Sequence, residues 1–264
     1  MTAHVFVFGA GRAGRGLARA LRAGGVDVVG VHGRHTGDAV DRVTVGALPG
    51  AIADATIVLV TVRDGQLDAA LDELAASPLR ADAVVLHASG SADPPGLSRL
   101  RARGHAAGTF HPLVPLADPS RAPALLRGAW IGVDGDEGAR AAGRALAAAL
   151  GAQTLEIPAG RKPLYHAAAV LVSNFPPVLL ALGERAMAES GVDPAVARQA
   201  LLPLWTAAAE NARLAPVPAS LTGPAIRGDE QTVRANMDAL AGDPMAQEVY
   251  RVMTAAVRNV AATR

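Results

Sequence analysis

The chain has no cysteine among its 264 residues, which excludes disulfides, thiolate nucleophiles and cysteine-held metal sites. It has almost no net charge: 25 basic against 24 acidic residues leave a formal +1. That balance implies no broad attraction to nucleic acid or anionic lipid. Long uncharged apolar runs are missing too. The nearest, 167–182, is interrupted by Asn174, Pro176 and Pro177, so no membrane-spanning segment is expected. Lysine is nearly absent, since Lys162 is the single one and the other basic residues are arginines. In so arginine-rich a chain, position rather than number marks a functional guanidinium. The first strand begins within a few residues of Met1 and leaves no room for a secretory leader. The expectation is a cytoplasmic protein with neither a nucleic-acid nor a membrane partner.

Half the residues are apolar and 19% are charged, a composition that folds rather than stays disordered. The length supports two modest domains. The most informative segment is Val5-Phe6-Val7-Phe8-Gly9-Ala10-Gly11-Arg12-Ala13-Gly14. An apolar strand ends in Gly-x-Gly-x-x-Gly and opens onto a helix of Leu, Ala and Arg. Gly9 permits the sharp turn, Gly11 lets a pyrophosphate approach the backbone, and Gly14 lets the helix lie close on the sheet. The free N–H groups and positive end of that helix favour an anionic diphosphate. Gly9, Ala10, Gly11, Arg12, Ala13 and Gly14 are therefore expected to hold a dinucleotide.

Short strands and helices alternate through the first half, the pattern of a mostly parallel sheet covered on both faces. Strands are expected near 5–8, 26–31, 55–62, 83–87, 104–110, 129–133 and 153–157, with helices near 12–23, 65–76, 95–103 and 137–150. Beyond Pro158-Ala159-Gly160 only helices remain. One is expected from Pro163 to about Ser190, and others start at Pro194, near Asp229 and at Pro244. Asp193-Pro194 and Asp243-Pro244 place an N-cap aspartate before a proline at the first helical position. Pro203 should kink or divide its helix. The predicted organisation is a doubly wound α/β Rossmann domain at 1–158, followed by a helical domain for substrate and dimerisation at 159–264.

Ligands of open α/β sheets lie beyond the carboxyl ends of the strands, so the residues there are the candidates for chemistry. The second strand ends in His32-Gly33-Arg34-His35 with no acid to bind a ribose 2′-hydroxyl. Arg34 can instead clamp a 2′-phosphate, which favours NADP over NAD. Thr61 and Val62 end the next strand on the cofactor side. His87 and Ser89, then His111, follow at neighbouring strand ends. In the helical half, His166 and Ser173 share one face about 10 Å apart along the axis, with Asn174 a quarter-turn away. Three histidines, His87, His111 and His166, also pose a weaker possibility of metal binding, but no close-spaced ligand pair supports it, and no metal is assigned.

These segments together resemble the Rossmann-like oxidoreductases whose C-terminal half is a domain of unknown function, relatives of the 6-phosphogluconate dehydrogenase, pyrroline-5-carboxylate reductase and ketopantoate reductase group. The resemblance rests on the Gly9–Gly14 loop, His87-Ala88-Ser89-Gly90, Phe110-His111-Pro112-Leu113, Tyr165 to Ala169, Ser173-Asn174, and Leu221-Thr222-Gly223-Pro224 through Arg227-Gly228-Asp229. It runs from residue 5 to about 240. It implies a 6-phosphogluconate-dehydrogenase-like helical domain, NADP chemistry, and a loop at Ser89-Gly90 that touches substrate near the nicotinamide. Relatives keep a catalytic Lys and an Asn about one helical turn apart. Lys162 and Asn174 are three turns apart, which argues against a lysine proton donor and points to His166.

The expectation is an NADP-dependent oxidoreductase passing hydride between the nicotinamide and a small carbonyl or imine substrate. His166 is the proton donor, and Ser89, His111 and Asn174 position the substrate. The rival reading is a non-catalytic NADP-binding sensor or scaffold. Leu171, Leu179, Leu180, Leu201, Leu202, Leu204 and Trp205 suggest a homodimer formed through the helical domain.

Overall fold

The structure, a computed structural model, describes residues 3–91 and 93–263. Strand β1 (His4–Phe8) shows why the sheet forms where it does. Its side chains alternate, so that Val5 and Val7 enter one apolar layer while Phe6 and Phe8 enter the other. A strand buried on both faces must be central, and β1 pairs in parallel with both β2 (Asp27–His32) and β4 (Ile57–Val60). The strand β3 (Val43–Thr44) pairs with β2. Beyond β4 come β5 (Val84–His87), β6 (Ala107–Pro112), β7 (Trp130–Gly135) and β8 (Gln153–Glu156), giving the order β3-β2-β1-β4-β5-β6-β7-β8. Only the β6–β7 junction is antiparallel. The chain winds outward in both directions from β1 and β4, and their carboxyl ends form the crevice in which such sheets bind ligands.

Helices α1 (Arg12–Ala23), α2 (Asp64–Ala76), α3 (Gly96–Ala102), α4 (Ala122–Leu126) and α5 (Glu137–Ala149) cover the two faces. Leu17 and Leu21 pack with Phe110, Leu126 and Leu146 on one side. Leu71, Leu74, Leu97 and Leu100 pack with Phe6 and Val85 on the other. The mostly parallel doubly wound architecture is the one expected. Details differ at the ends: the expected strand at 104–110 starts only at Ala107, because Gly104 sits in the left-handed region at φ +87°.

Two compact units emerge, Met1–Ser173 and Asn174–Arg264. The first includes α6 (Lys162–Ser173). The reason is physical: Lys162 and Tyr165 on α6 bond to groups of the sheet and its loops.

The second unit is all helical: α7 (Phe175–Glu189), α8 (Pro194–Leu214), α9 (Val217–Ser220), α10 (Pro224–Arg227), α11 (Glu230–Ala239) and α12 (Pro244–Ala261). The caps read from sequence are present. Asp193, Asp229 and Asp243 each accept a backbone N–H from the first turn of the helix that follows. One expectation is corrected. The single helix from 163 to 190 is two helices, because Pro176 and Pro177 lack the N–H groups needed to continue α6, so α7 restarts with prolines in its first turn. Pro203, expected to kink or divide its helix, leaves α8 undivided. Nearby, Thr206 Oγ1 donates to the Leu202 carbonyl at 2.9 Å.

Against the expectation of no membrane-spanning segment stands one candidate by length and composition, the stretch formed by α6 and α7. Taken together, Lys162–Glu189 spans 28 residues with a mean hydropathy of 1.5 over its most apolar window, and none of that window is buried. By length and composition it passes the test, because the uncharged run was broken by Asn and Pro residues that mean hydropathy averages over.

Candidate functional site

The turn between β1 and α1 is built around three glycines. Gly9 has φ +124°, and its N–H donates to the His32 carbonyl at 2.8 Å. Thr61 Oγ1 donates to the Gly9 carbonyl at 2.6 Å. A side chain on Gly14 would overlap that same carbonyl and the Thr61 hydroxyl, whereas nothing lies within 4 Å of the Cβ position of Gly11. Gly14 thus presses the helix onto the turn and Gly11 leaves it open. Gly11 is the N-cap of α1 and supplies no side chain to the free N–H groups, and no acidic residue stands in the first turn. An open, uncapped helix end of this kind suits a diphosphate, and the donors at Ala10, Gly11, Arg12 and Ala13 fit one.

Two clefts meet at this turn. One, of about 760 Å³, runs from Gly9 and Gly11 past Arg34 and His35 to Gln66. The other, of about 530 Å³, runs from Gly11 and Arg12 past Ala88 to His111 and Pro112. Thr61 and Val62 line both. Thr61, expected on the cofactor side, is buried, and its hydroxyl bond to the Gly9 carbonyl also shapes the turn. Arg34 is exposed, and its Nη2 donates to Gln66 Oε1 at 3.2 Å. The loop beyond it is pinned to α1: Arg19 makes two bonds, of 2.6 and 2.9 Å, to the fully buried Asp41.

At the ends of β5 and β6 the three histidines separate by role. His87 is fully buried, with Nε2 3.1 Å from the Thr109 hydroxyl and Nδ1 unpartnered. Burial, helped by the Lys162 charge, lowers its pKa to about 4. His87 is a neutral core group. His111 lines the second cleft. Its Nδ1 lies 2.8 Å from the Tyr165 hydroxyl, and its ring meets that of His166 edge-on at 5.8 Å. Burial and then His166 lower the His111 pKa to about 4, while burial pushes Tyr165 up to about 12. Gly90 is the reason His111 fits, because a Cβ there would stand 2.7 Å from the ring. The preceding Ser89 has its Oγ 3.1 Å from that of Ser91, which donates to Asp64 at 2.7 Å.

The structure therefore brings His111 and His166 together, with Ser89 on the loop whose Gly90 packs against His111. Asn174 is not on α6 with His166, as the uninterrupted helix would have had it; it is the N-cap residue of α7 and the first residue of the second unit. Lys162 is buried between Asp93 and Asp134, 3.2 Å from the latter, so its ammonium is a tie between elements. Tyr165 went unassigned in the sequence beyond its place in a motif. Its signal, a tyrosine preceding the favoured histidine, says nothing of a partner 54 residues away. Among the described residues no group of three or more His, Cys, Asp or Glu side chains is arranged to hold a metal ion.

The whole chain has the fold of several solved reductase structures. A candidate NADP oxidoreductase, BF3122 from Bacteroides fragilis, superposes with a TM-score of 0.78 at 21% identity, covering 97% of this chain and 98% of that one. Pyrroline carboxylate reductase from Plasmodium falciparum, with NADP bound, gives 0.65 at 9% identity over 98% of each chain. A reductive aminase from Aspergillus terreus, in complex with NADPH and ethyl levulinate, gives 0.65 at 20% identity over 100% of this chain and 95% of that one. No curated protein matches the sequence. One family model does match: residues 129–257, from the start of β7 into α12, are similar to DUF2520, a domain of unknown function.

Proposed function

We propose that this protein is an NADP-dependent oxidoreductase that passes hydride between the nicotinamide and a small carbonyl or imine substrate. The observation that carries the reading is a single cleft wall that starts at the open glycine turn and ends at His111. Bound NADP(H) supplies or accepts the hydride, and the protein supplies orientation and a proton. Gly9 to Gly14 take the diphosphate, Arg34 the 2′-phosphate, and Val62 and Ser89 flank the nicotinamide end. His166, beside His111, is the proton donor, and Ser89, His111 and Asn174 hold the substrate. Residues 1–158 serve the nucleotide and 159–264 serve substrate and assembly, in a cytoplasmic enzyme. The bound NADP and NADPH of the fold relatives support the choice of cofactor.

Titration of NADPH and NADH, with turnover over ketones, imines and 2-oxo acids, tests this. NADPH binds more tightly than NADH, and Arg34→Ala weakens NADPH about 10- to 100-fold while leaving NADH unchanged, as expected for charge-assisted bonds to a phosphate. His166→Ala removes most turnover and keeps NADPH affinity. No uptake of either nucleotide by folded protein refutes the reading, and tight binding with no turnover on any substrate makes the protein a nucleotide sensor instead.

The same reading includes a homodimer through the helices. Leu171, Val172, Phe175, Leu204 and Trp205 are all exposed, Val172 by 76%, and the second unit buries few apolar residues of its own. Sedimentation at micromolar concentration is expected to give twice the 26.7 kDa chain mass; a monomer there removes this part of the proposal.

A further inference from the structure

His111 and Tyr165 share one hydrogen bond, and which of them donates decides what His111 can offer a ligand. Tyr165 has a pKa of about 12, so it keeps its proton at any working pH. Among the described residues, His111 Nδ1 is the one hydrogen-bond partner of the phenol. The backbone of Gly132, the cross-strand neighbour of His111, also packs close to the oxygen, so that a Cβ there would overlap it. If the imidazole donated, the phenolic proton would have no protein acceptor in a half-buried site, which is disfavoured. If the phenol donates, both groups are satisfied and the ring carries its single proton on Nε2. That nitrogen makes no hydrogen bond among the described residues, and it is not one of the sealed, unpartnered atoms. It is therefore the nitrogen open to the cleft that His111 lines.

We infer that Tyr165 is a positioning residue that fixes His111 as a neutral imidazole, donating Nε2–H to an acceptor atom of the substrate, and so selects a carbonyl or neutral imine over a protonated iminium. The choice of substrate rests on the oxidoreductase reading; the tautomer does not. A neutral N–H needs a lone pair opposite it. A carbonyl oxygen offers one and becomes more negative as hydride reaches the carbon, so the bond strengthens as the reaction proceeds. A protonated iminium nitrogen has no lone pair to offer. A second observation agrees. The lining of this cleft carries Arg12, Arg63 and His111 and no carboxylate, so nothing there balances a cationic substrate. The titratable groups around the His111 ring are Tyr165 and His166 from α6 and, more distantly, Asp64 at the start of α2, which opposes the lowering by His166.

Nitrogen-15 NMR of the seven histidine rings tests the tautomer without any turnover, with the His111 signals identified by their loss in His111→Gln. The Nε2–H form is expected between about pH 5 and 8, with protonation only near pH 4. Tyr165→Phe, which keeps the ring and removes the hydroxyl, is expected to give a mixture of tautomers and to lower kcat on a ketone about tenfold, with KM and NADPH affinity within about twofold. An Nδ1–H form in the unmodified protein overturns the inference, as does a tautomer unchanged by Tyr165→Phe. So does faster reduction of a cyclic iminium than of a matched ketone. If nucleotide binds and the tautomer is wrong, only this inference falls; if the tautomer is right and no nucleotide binds, the oxidoreductase reading falls and the geometry stands.

Discussion

Gly14→Ala is expected to abolish nucleotide binding, a loss of at least about a hundredfold in affinity, together with a drop in stability of about 3 kcal/mol. The added methyl has nowhere to go. It overlaps the Gly9 carbonyl and the Thr61 hydroxyl, and those two groups are bonded to each other at 2.6 Å, so neither can yield without breaking the turn. Either the helix lifts from β1 or the turn opens, and both outcomes scatter the N–H groups that a diphosphate needs. Gly11→Ala is the control that separates space from fold. Its φ of −70° is ordinary for any residue, and its Cβ would point into emptiness. That variant should melt like the parent protein yet bind NADPH poorly, because the methyl occupies the place where the diphosphate approaches. Thermal melts and fluorescence titration of both variants decide the matter. Parent-like affinity in Gly11→Ala would show that no phosphate lies over this turn.

The contrast also explains what was legible in the sequence. Glycine tasks, strand ends and Asp-Pro helix starts are local, and the chain announces them within a few residues. The sheet follows from such signals, because β1 is too apolar on both faces to be anything but central. Groups that meet across the fold are another matter. Tyr165 finds His111 across 54 residues and Lys162 finds Asp93 across 69, and no period or spacing links them. Helical geometry placed His166 on one face with Ser173 and Asn174 a quarter-turn away, but could not show that its ring lies against His111. The break at Asn174 was written in Pro176 and Pro177 but was masked by an apolar pattern that continues on both sides. The two residues of β3 are too few to form a readable alternation.

Lys162→Met should be the most damaging change outside the glycine turn. Lys162 is 2% exposed and its ammonium is held between Asp93, from the loop after β5, and Asp134 on β7, while its own backbone begins α6. One charge thus ties together the Ser89–Ser91 loop, the sheet and the helix that carries Tyr165 and His166. Removing the cation from a buried pair costs about 3–5 kcal/mol when the partner stays buried. Here Asp93 is half exposed and can return to water, while the Asp134 side chain, 19% exposed, cannot easily do so. The expected loss is therefore at the lower end, about 3 kcal/mol in chemical denaturation. Adding Asp134→Asn to Lys162→Met should restore part of it, since the stranded carboxylate is then gone. A loss under about 1 kcal/mol, or no recovery in the double variant, would reduce the tie to an ordinary surface pair. Turnover should fall with it while NADPH affinity holds, because the glycine turn stands on β1 and α1, elements that Lys162 does not bond to.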